Sequence, residues 1–150
     1  MRLCKVALLF ALTTVVSFSS CELETSGNGD LDGMWHLRRV DTLATTAASA
    51  SCDMSDESIY WLVEADLIVL DDKSDANEDI IMLFELTDDS LRLYSPYIYD
   101  REDGDREIES VEQLKPYGVS ATDVTFGINS LSGGKMVLES TELRLTFKKR

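Results

Sequence analysis

Apolar and polar residues alternate along most of the chain after residue 30, or apolar residues form short runs. Both patterns are typical of β-strands. The segment 59–70 is long enough for one strand, or for one strand with a bulge near 64–66. Residues 43–58, rich in Ala, Thr and Ser, are predicted to be a long loop. The predicted strands are 33–41, 59–70, 80–86, 91–99, 124–128, 136–139 and 143–147.

One segment departs from the strand pattern. Ile108, Val111 and Leu114 recur at every third position, which predicts a short helix that Pro116 and Gly118 end. With about seven or eight strands in sequence order and no alternation of strands with long helices, the pattern predicts an all-β antiparallel fold. An up-and-down barrel of about eight strands with one short helix is favoured, because closure hides the strand edges. A β-sandwich is the alternative.

The first twenty residues predict a secretory signal peptide. Arg2 and Lys5 supply positive charge, residues 6–16 form an uncharged apolar run, and small residues follow. The run is too short to cross a bilayer as a helix, which needs about 20 residues. Residues 1–20 are therefore expected to be removed on export.

The end of this segment resembles the lipobox of bacterial lipoproteins. An apolar residue and two small ones precede a cysteine, here Phe18, Ser19, Ser20 and Cys21, although Leu is usual where Phe18 stands. The resemblance implies diacylglycerol on the Cys21 sulfur, cleavage before Cys21 and a lipid anchor in the outer membrane, facing the periplasm or the cell surface. A plain signal peptide followed by an unrelated cysteine is the alternative.

Residues 21–30 are polar, contain two glycines and show no periodicity, so they predict a flexible tether between the lipid and a domain at 31–150. Cleavage after residue 20 removes two basic residues and leaves 12 basic and 28 acidic ones, a formal charge of −16. That charge repels nucleic acid and anionic lipid headgroups, so neither is expected as a partner.

Three cysteines are present, but only one is expected to remain as a free thiol in the mature chain. Cys4 departs with the signal peptide and Cys21 is consumed by lipid, so Cys52 has no partner for an intrachain disulfide. Cys52 stands in a small-residue segment and is interpreted as a free thiol. It could also form an intermolecular disulfide or bind a metal.

Gly33 and Trp35 stand at the start of the first predicted strand and resemble the Gly-x-Trp signature of lipocalins. The resemblance implies that the glycine allows a tight entry into the strand and that the tryptophan plugs the closed end of a barrel. It also implies a basic residue of the last strand, Arg144 or Lys148, laid across the indole, with Arg144 favoured because guanidinium stacks well on aromatic rings.

Residues 31–150 as a whole resemble the small lipocalin-like domains of Gram-negative lipoproteins. The likeness is carried by LDGMWHLRRVDTL, DDSLRLYSPYIYDRE and ELRLTFKKR. The chain departs from typical lipocalins because it lacks the helix after the last strand and carries its helix in mid-chain.

No catalytic pattern stands out. The sequence contains no phosphate-binding glycine loop, no Cys-x-x-Cys and only one histidine, so an enzyme is not expected and neither a metal nor a cofactor is assigned. By alternation His36 points away from Trp35, toward solvent. The acidic turns at 71–79 and 100–107 are interpreted as solvated surface, with a calcium site as the alternative.

A barrel of this size leaves interior room for side chains or for one small apolar ligand. Two functions are therefore open. One is a non-catalytic binding protein for a small apolar or amphipathic molecule. The other is an interaction module with a filled core that contacts another envelope protein. The candidate wall residues of a ligand cavity are Trp35, Trp61, Phe84, Tyr97 and Phe126.

Overall fold

The computed structural model describes residues 26–43 and 50–150. The predicted signal peptide, Cys21 and the first half of the predicted tether lie outside the described residues. Within the described ranges, no helix is long and apolar enough to cross a membrane.

The described residues form ten strands, β1 Gly33–Thr42, β2 Ser51–Asp53, β3 Ile59–Glu64, β4 Leu67–Asp72, β5 Ile80–Leu86, β6 Ser90–Ile98, β7 Arg106–Glu107, β8 Val124–Leu131, β9 Lys135–Glu139 and β10 Leu143–Lys149. Eight of these antiparallel strands form a closed ring in the order β1, β3, β4, β5, β6, β8, β9 and β10, and β10 pairs with β1 to complete it. Two short strands, β2 and β7, add to β1 and β6 outside the ring. The predicted eight-stranded antiparallel barrel is confirmed.

The long apolar segment predicted as one strand is a hairpin. Glu64 pairs with Leu67, and Ala65 and Asp66 form the two-residue turn between β3 and β4. Ala65 has a φ of 52°, a left-handed conformation that a side chain disfavours. Because the turn contains no glycine or proline, its sequence carries no strong turn signal, and the prediction of a single strand was wrong.

A bulge interrupts β6 at Ser95 and Pro96. Ile81 pairs with Tyr97 and Leu83 pairs with Tyr94, so two residues of β6 lie opposite Met82 of β5. Ser95 adopts a φ of 52°, and a bulge accommodates a proline that has no N–H to donate. The bulge shifts the alternation of β6, so that Leu91 and Leu93 are buried before it and Pro96 and Ile98 after it.

The mid-chain helix is a 3-10 helix, Val111–Tyr117, called the cap helix below. It begins three residues later than predicted, because Ser110 caps it and Gln113 completes a capping box with Ser110. Pro116 lies inside the helix and does not end it. Gly118, at a φ of 80°, terminates the helix.

Both chain segments predicted to be irregular carry structure. Ser51–Asp53, inside the predicted long loop, pairs with β1. The predicted tether ends earlier than residue 30. The Asn28 side chain donates to Asp32 and to the carbonyl oxygen of Ala65, and Gly29–Leu31 is a short 3-10 helix. The folded domain therefore includes residues that the sequence assigned to the tether.

Candidate functional site

Four of the five predicted wall residues lie together inside the barrel. Trp35 and Trp61 are directly opposite each other on β1 and β3, and Phe84 and Phe126 are also buried. The ring centre of Trp61 is 4.8 Å from that of Phe147 and 6.0 Å from that of Phe126. These side chains pack against one another in the core, so the interior is occupied by protein. Their role as ligand contacts stays a prediction.

Tyr97, the fifth predicted wall residue, lies on the outside of the barrel. Its side chain is 40% exposed. Strict alternation from Leu91 and Leu93 places Tyr97 on the inner face, but the bulge at Ser95 reverses the alternation before Tyr97 is reached. The prediction was wrong because alternation in the sequence does not reveal a bulge.

The end of the barrel where β1 begins, called the lower end, is closed around Trp35. The indole N–H donates to the carbonyl oxygen of Leu31 at 2.7 Å, and Leu31 is buried beneath it. Gly33 has a φ of 112°, and a Cβ there would lie 3.0 Å from the Cε of Lys149. Glycine at this position therefore permits the close approach of β10.

The basic residue across Trp35 is Lys149. Its Nζ lies 5.0 Å from the ring centre and donates to the carbonyl oxygen of Asp30. Arg144 instead pairs with Glu139, and Lys148 faces outward opposite His36. The prediction of Arg144 or Lys148 was wrong, because Lys149 continues the inward alternation of Leu145 and Phe147. Counting that alternation two residues further would have found it.

His36 is buried rather than exposed to solvent. Only 5% of it is accessible, because its ring stacks on Tyr60 at 4.7 Å and its Nε2 lies 2.8 Å from the carbonyl oxygen of Glu57. Arg150 covers the Tyr60 ring from outside and donates to its hydroxyl. Alternation gave the direction of His36 correctly, but not the aromatic and basic side chains that cover it.

The opposite, upper end of the barrel is covered by the cap helix. Its Leu114 and Tyr117 are buried in the core, and the Trp61 indole N–H donates to the Tyr117 carbonyl oxygen at 3.1 Å. The Tyr117 hydroxyl donates to the carbonyl oxygen of Glu78 at 2.7 Å, and the Gln113 side chain donates to the Glu78 carboxylate. The helix is thus held both to the core and to the turn between β4 and β5.

A cleft of about 690 Å³ lies on the outer surface of the barrel, and it is called the side cleft below. Its floor is an apolar row across three neighbouring strands, Leu62 on β3, Val69 on β4 and Ile81 on β5, which are register partners. Leu67, 40% exposed, and Ala65 lie toward the lower end. Such a volume is in the range of small-molecule sites.

The upper end of the side cleft is polar. Asp71, Lys73, Asp79, Tyr99 and Arg101 line it. An apolar floor with charged groups at one end suits a ligand with an apolar body and a polar head. No sequence pattern indicates this site, because its residues alternate with core residues on the same strands.

Comparison with known proteins identifies the family. The model of the lipocalin-like domain family matches residues 16–150. The chain belongs to this family of lipocalin-like domains. No curated protein matches its sequence.

Two solved structures share the fold of this lipocalin-like domain. A lipocalin-like protein from Bacteroides uniformis has a TM-score of 0.57 and 17% identity, covering 81% of this chain and 100% of that one. An uncharacterized protein from Bacteroides eggerthii has a TM-score of 0.51 and 21% identity, covering 79% of this chain and 98% of that one. At these identities the likeness concerns the fold alone.

Two aspartates that the sequence assigned to a solvated turn are buried in the lipocalin-like domain. Asp71 is 5% exposed and forms an ion pair with Lys73, on the side-cleft face of β4. Asp72 points to the other face. Burial raises the pKa of the Asp72 carboxyl, but hydrogen bonds from Ser74 and Asn77 outweigh burial and hold it below its ordinary value.

Asp79 behaves in the opposite way. Burial and the nearby charge of Asp71 raise the pKa of the Asp79 carboxyl above its ordinary value, although Lys73 opposes them. The Asp71 carboxylate in turn raises the pKa of Lys73. At the upper end of the side cleft, two carboxylates, those of Asp71 and Asp79, therefore lie near one ammonium group, that of Lys73.

Other predicted chemistry is not assembled. Within residues 26–43 and 50–150, no three metal-ligating side chains come together in a group. Cys52 is exposed on β2, and its Sγ lies 3.7 Å from the sulfur of Met54. The acidic loop after β6 is organised by Asp100, whose carboxylate accepts the backbone N–H groups of Glu102 and Asp103.

Proposed function

We propose that this protein is a non-catalytic binding protein, held at the outer membrane of the cell envelope by lipid on Cys21. It binds a small apolar or amphipathic molecule in the side cleft rather than inside the barrel. The single observation that carries this proposal is the apolar floor of the side cleft, formed by Leu62, Val69 and Ile81 outside the core.

The close packing of the barrel interior supports binding in the side cleft rather than inside the barrel. Trp35, Trp61 and Phe126 are buried to within about 1% of their surface, and the cap helix covers the upper end with Tyr117. A ligand entering the barrel would have to displace packed aromatic side chains, whose burial stabilises the fold. The side cleft requires no such displacement.

An anchor on Cys21 would lie close to the side cleft. Asn28 donates to the carbonyl oxygen of Ala65 at the lower end of the side cleft. Cys21 precedes Ser26 by five residues, which reach at most about 18 Å when extended. A lipid on Cys21 would therefore keep the side cleft near the bilayer, where amphipathic molecules concentrate.

The setting of the sole histidine gives no support to histidine-based catalysis in the side cleft. His36 is held by Glu57 and stacked on Tyr60, so its ring serves packing on the barrel wall. It lies outside the residues that line the side cleft. General acid–base chemistry needs a group within reach of a bound substrate.

A second function, docking of another envelope protein, is favoured by one observation. Leu83 and Tyr97, 36% and 40% exposed, extend the apolar outer surface beyond the side cleft. Apolar surface that continues past a cleft is typical of protein interfaces. Leu67→Asp would weaken both kinds of binding, whereas Leu83→Asp would weaken only protein docking.

Methyl NMR with dodecyl maltoside as a neutral probe tests the side cleft. Below its micelle concentration, the probe is expected to shift the methyl signals of Val69 and Ile81 and to leave those of Ile68 and Leu70 unchanged. These residues alternate on β4 and β5, so they distinguish the outside from the core. Leu67→Asp should abolish the shifts and Leu83→Asp should retain them. Shifts confined to Ile68 and Leu70 would instead place the ligand inside the barrel.

The anchor has a separate test. Cys21→Ser is expected to abolish incorporation of labelled palmitate and to release the protein from the membrane fraction, because the thiol is the acylation site. Cys52→Ser, the matched control, should leave both unchanged. Labelling that persists in Cys21→Ser would refute the anchor.

A further inference from the structure

We propose that the side cleft is specific for cationic amphiphiles, with an aliphatic body on Leu62, Val69 and Ile81 and an ammonium group between Asp71 and Asp79. This inference rests on the proposed function, since it names the class of ligand that the same cleft binds. Its support is the arrangement of charge at one end of the cleft.

The two carboxylates stand next to the apolar floor. Asp71 is two residues after Val69 on β4, and Asp79 is two residues before Ile81, so alternation places both on the outer face. The Asp79 carbonyl oxygen accepts a hydrogen bond from the backbone N–H of Tyr99. This bond extends the pairing of β5 with β6 by one residue on each strand. A single-chain ligand lying along β4, over Leu67 and Val69, would therefore end at these carboxylates.

The chain's own cations show which groups this end accepts. Lys73 places its ammonium on the Asp71 carboxylate, although Asp71 is buried. The guanidinium of Arg101 lies 5.1 Å from the centre of the Tyr99 ring and donates to the Tyr99 hydroxyl. Carboxylates and aromatic faces both recognise ammonium groups.

Asp79 is the carboxylate that a ligand cation would meet at the upper end of the cleft. Two acidic and two basic side chains line this end, but Lys73 pairs with Asp71 and Arg101 donates to a tyrosine hydroxyl, while the third acidic residue, Glu64, lies at the lower end. Burial and Asp71 raise the pKa of Asp79, so charge repulsion at this carboxylate is relieved by a cation and increased by an anion. A fatty acid is therefore a poorer ligand than an amine with the same chain.

Three probes built on twelve-carbon chains separate charge preference from apolar binding. Dodecyltrimethylammonium, dodecyl maltoside and dodecanoate are titrated below their micelle concentrations into the full chain, with the Val69 and Ile81 methyl signals as the readout. The cation is expected to bind at least about tenfold more tightly than dodecanoate, with the maltoside between them. Added salt should reduce the difference, because it screens exposed charges.

Asp79→Asn tests the carboxylate directly. It is expected to weaken binding of the cation about fivefold and to leave binding of the maltoside unchanged, since only the charge is removed. Asp88→Asn is the matched control: it makes the same change in net charge in the exposed turn between β5 and β6, and should leave both affinities unchanged. Together these variants separate a local carboxylate from the overall negative charge.

The outcomes are distinguishable. Equal binding of the three probes, or an Asp79→Asn variant that binds the cation as the wild type does, would overturn the charge preference and leave the proposed function standing. If none of the probes shifts Val69 and Ile81, both the proposed function and this inference fail. Tighter binding of dodecanoate than of the cation would reverse the ligand class.

Discussion

The two faces of β4 contrast the inside of this barrel with its outer wall. Ile68 and Leu70 point inward and are fully buried, whereas Leu67 and Val69, which are also aliphatic, point outward and line the side cleft. An antiparallel strand with one solvated face usually carries polar residues there. The contrast teaches that apolar character alone does not identify the core, and that an apolar outer row is the feature to explain by binding.

The interior is where the folding free energy is concentrated. Its buried aromatic side chains include Trp35, Trp61 and Phe147. Trp61 packs against Phe147 and lies opposite Trp35 on the neighbouring strand. The cap helix adds Leu114 and Tyr117 to the same cluster. Burial of a large aromatic side chain removes roughly 150–250 Å² from water. The outer row, being partly exposed, gains less on folding and keeps its surface available to a partner.

Trp61→Ala is expected to destabilise the fold by about 3–5 kcal/mol. The variant removes contacts with Phe126 and Phe147 and the hydrogen bond to the Tyr117 carbonyl oxygen. Urea denaturation followed by circular dichroism measures the loss.

The matched control is Tyr97→Ala, which removes an aromatic side chain from the outer face. Its cost is expected to stay below about 1 kcal/mol, because the side chain is already 40% exposed. Equal losses for the two variants would contradict the distinction between a packed interior and an available outer wall.

Gly118→Ala is expected to destabilise the fold by about 2–4 kcal/mol, from the left-handed backbone and from overpacking. Gly118 has a φ of 80°, and a Cβ would lie 2.7 Å from the Cδ2 of Leu145, which is fully buried and has little space to move. The change would loosen the cap helix and the core at the same time. Thermal unfolding is the measurement.

Gly134→Ala provides the control for Gly118→Ala. A Cβ at Gly134 meets no atom within 4 Å, so the transition temperature should remain close to that of the wild type. A Gly118→Ala variant as stable as Gly134→Ala would show that the cap helix is not tightly coupled to the interior.

The sequence predicted the interior better than it predicted the side cleft. Trp35, Trp61 and Phe126 were expected to share an inner surface, and they do, because uninterrupted alternation has a period of two that neighbouring strands repeat. Tyr97 was misplaced because the bulge at Ser95 changes the alternation, and Ser95 carries no signal for a left-handed conformation.

The side cleft could not be predicted because it depends on register between strands. Leu62, Val69 and Ile81 are separated in sequence and become neighbours only through the pairing of β3, β4 and β5. The split of 59–70 into two strands at Ala65 was itself missed, so the pairing that builds the floor was not foreseen. The buried Asp71 was interpreted as a solvated turn residue for the same reason.

Two neighbouring acids sharpen the contrast between stability and binding. Hydrogen bonds from Ser74 and Asn77 hold the pKa of Asp72 below its ordinary value, against the effect of burial, so the charged form stabilises the fold. Burial and Asp71 raise the pKa of Asp79, so its charged form opposes folding. A carboxylate that lies in a cleft and destabilises the fold when charged is a candidate ligand contact.

Asp79→Asn is therefore expected to stabilise the protein at pH 7, by less than about 1 kcal/mol because the group is partly solvated. The sign follows from proton binding: the folded state holds the Asp79 proton more tightly than the unfolded chain, so wild-type stability falls as pH rises above the ordinary carboxyl range. Urea denaturation at pH 7 and near pH 3 should show a gain in the free energy of unfolding that disappears in acid.

Asp72→Asn should instead lower the free energy of unfolding at pH 7, since it weakens the hydrogen bonds from Ser74 and Asn77. A loss of stability in Asp79→Asn would mean that its charge serves the fold, and the contrast between the stabilising interior and the binding side cleft would then be wrong at this residue.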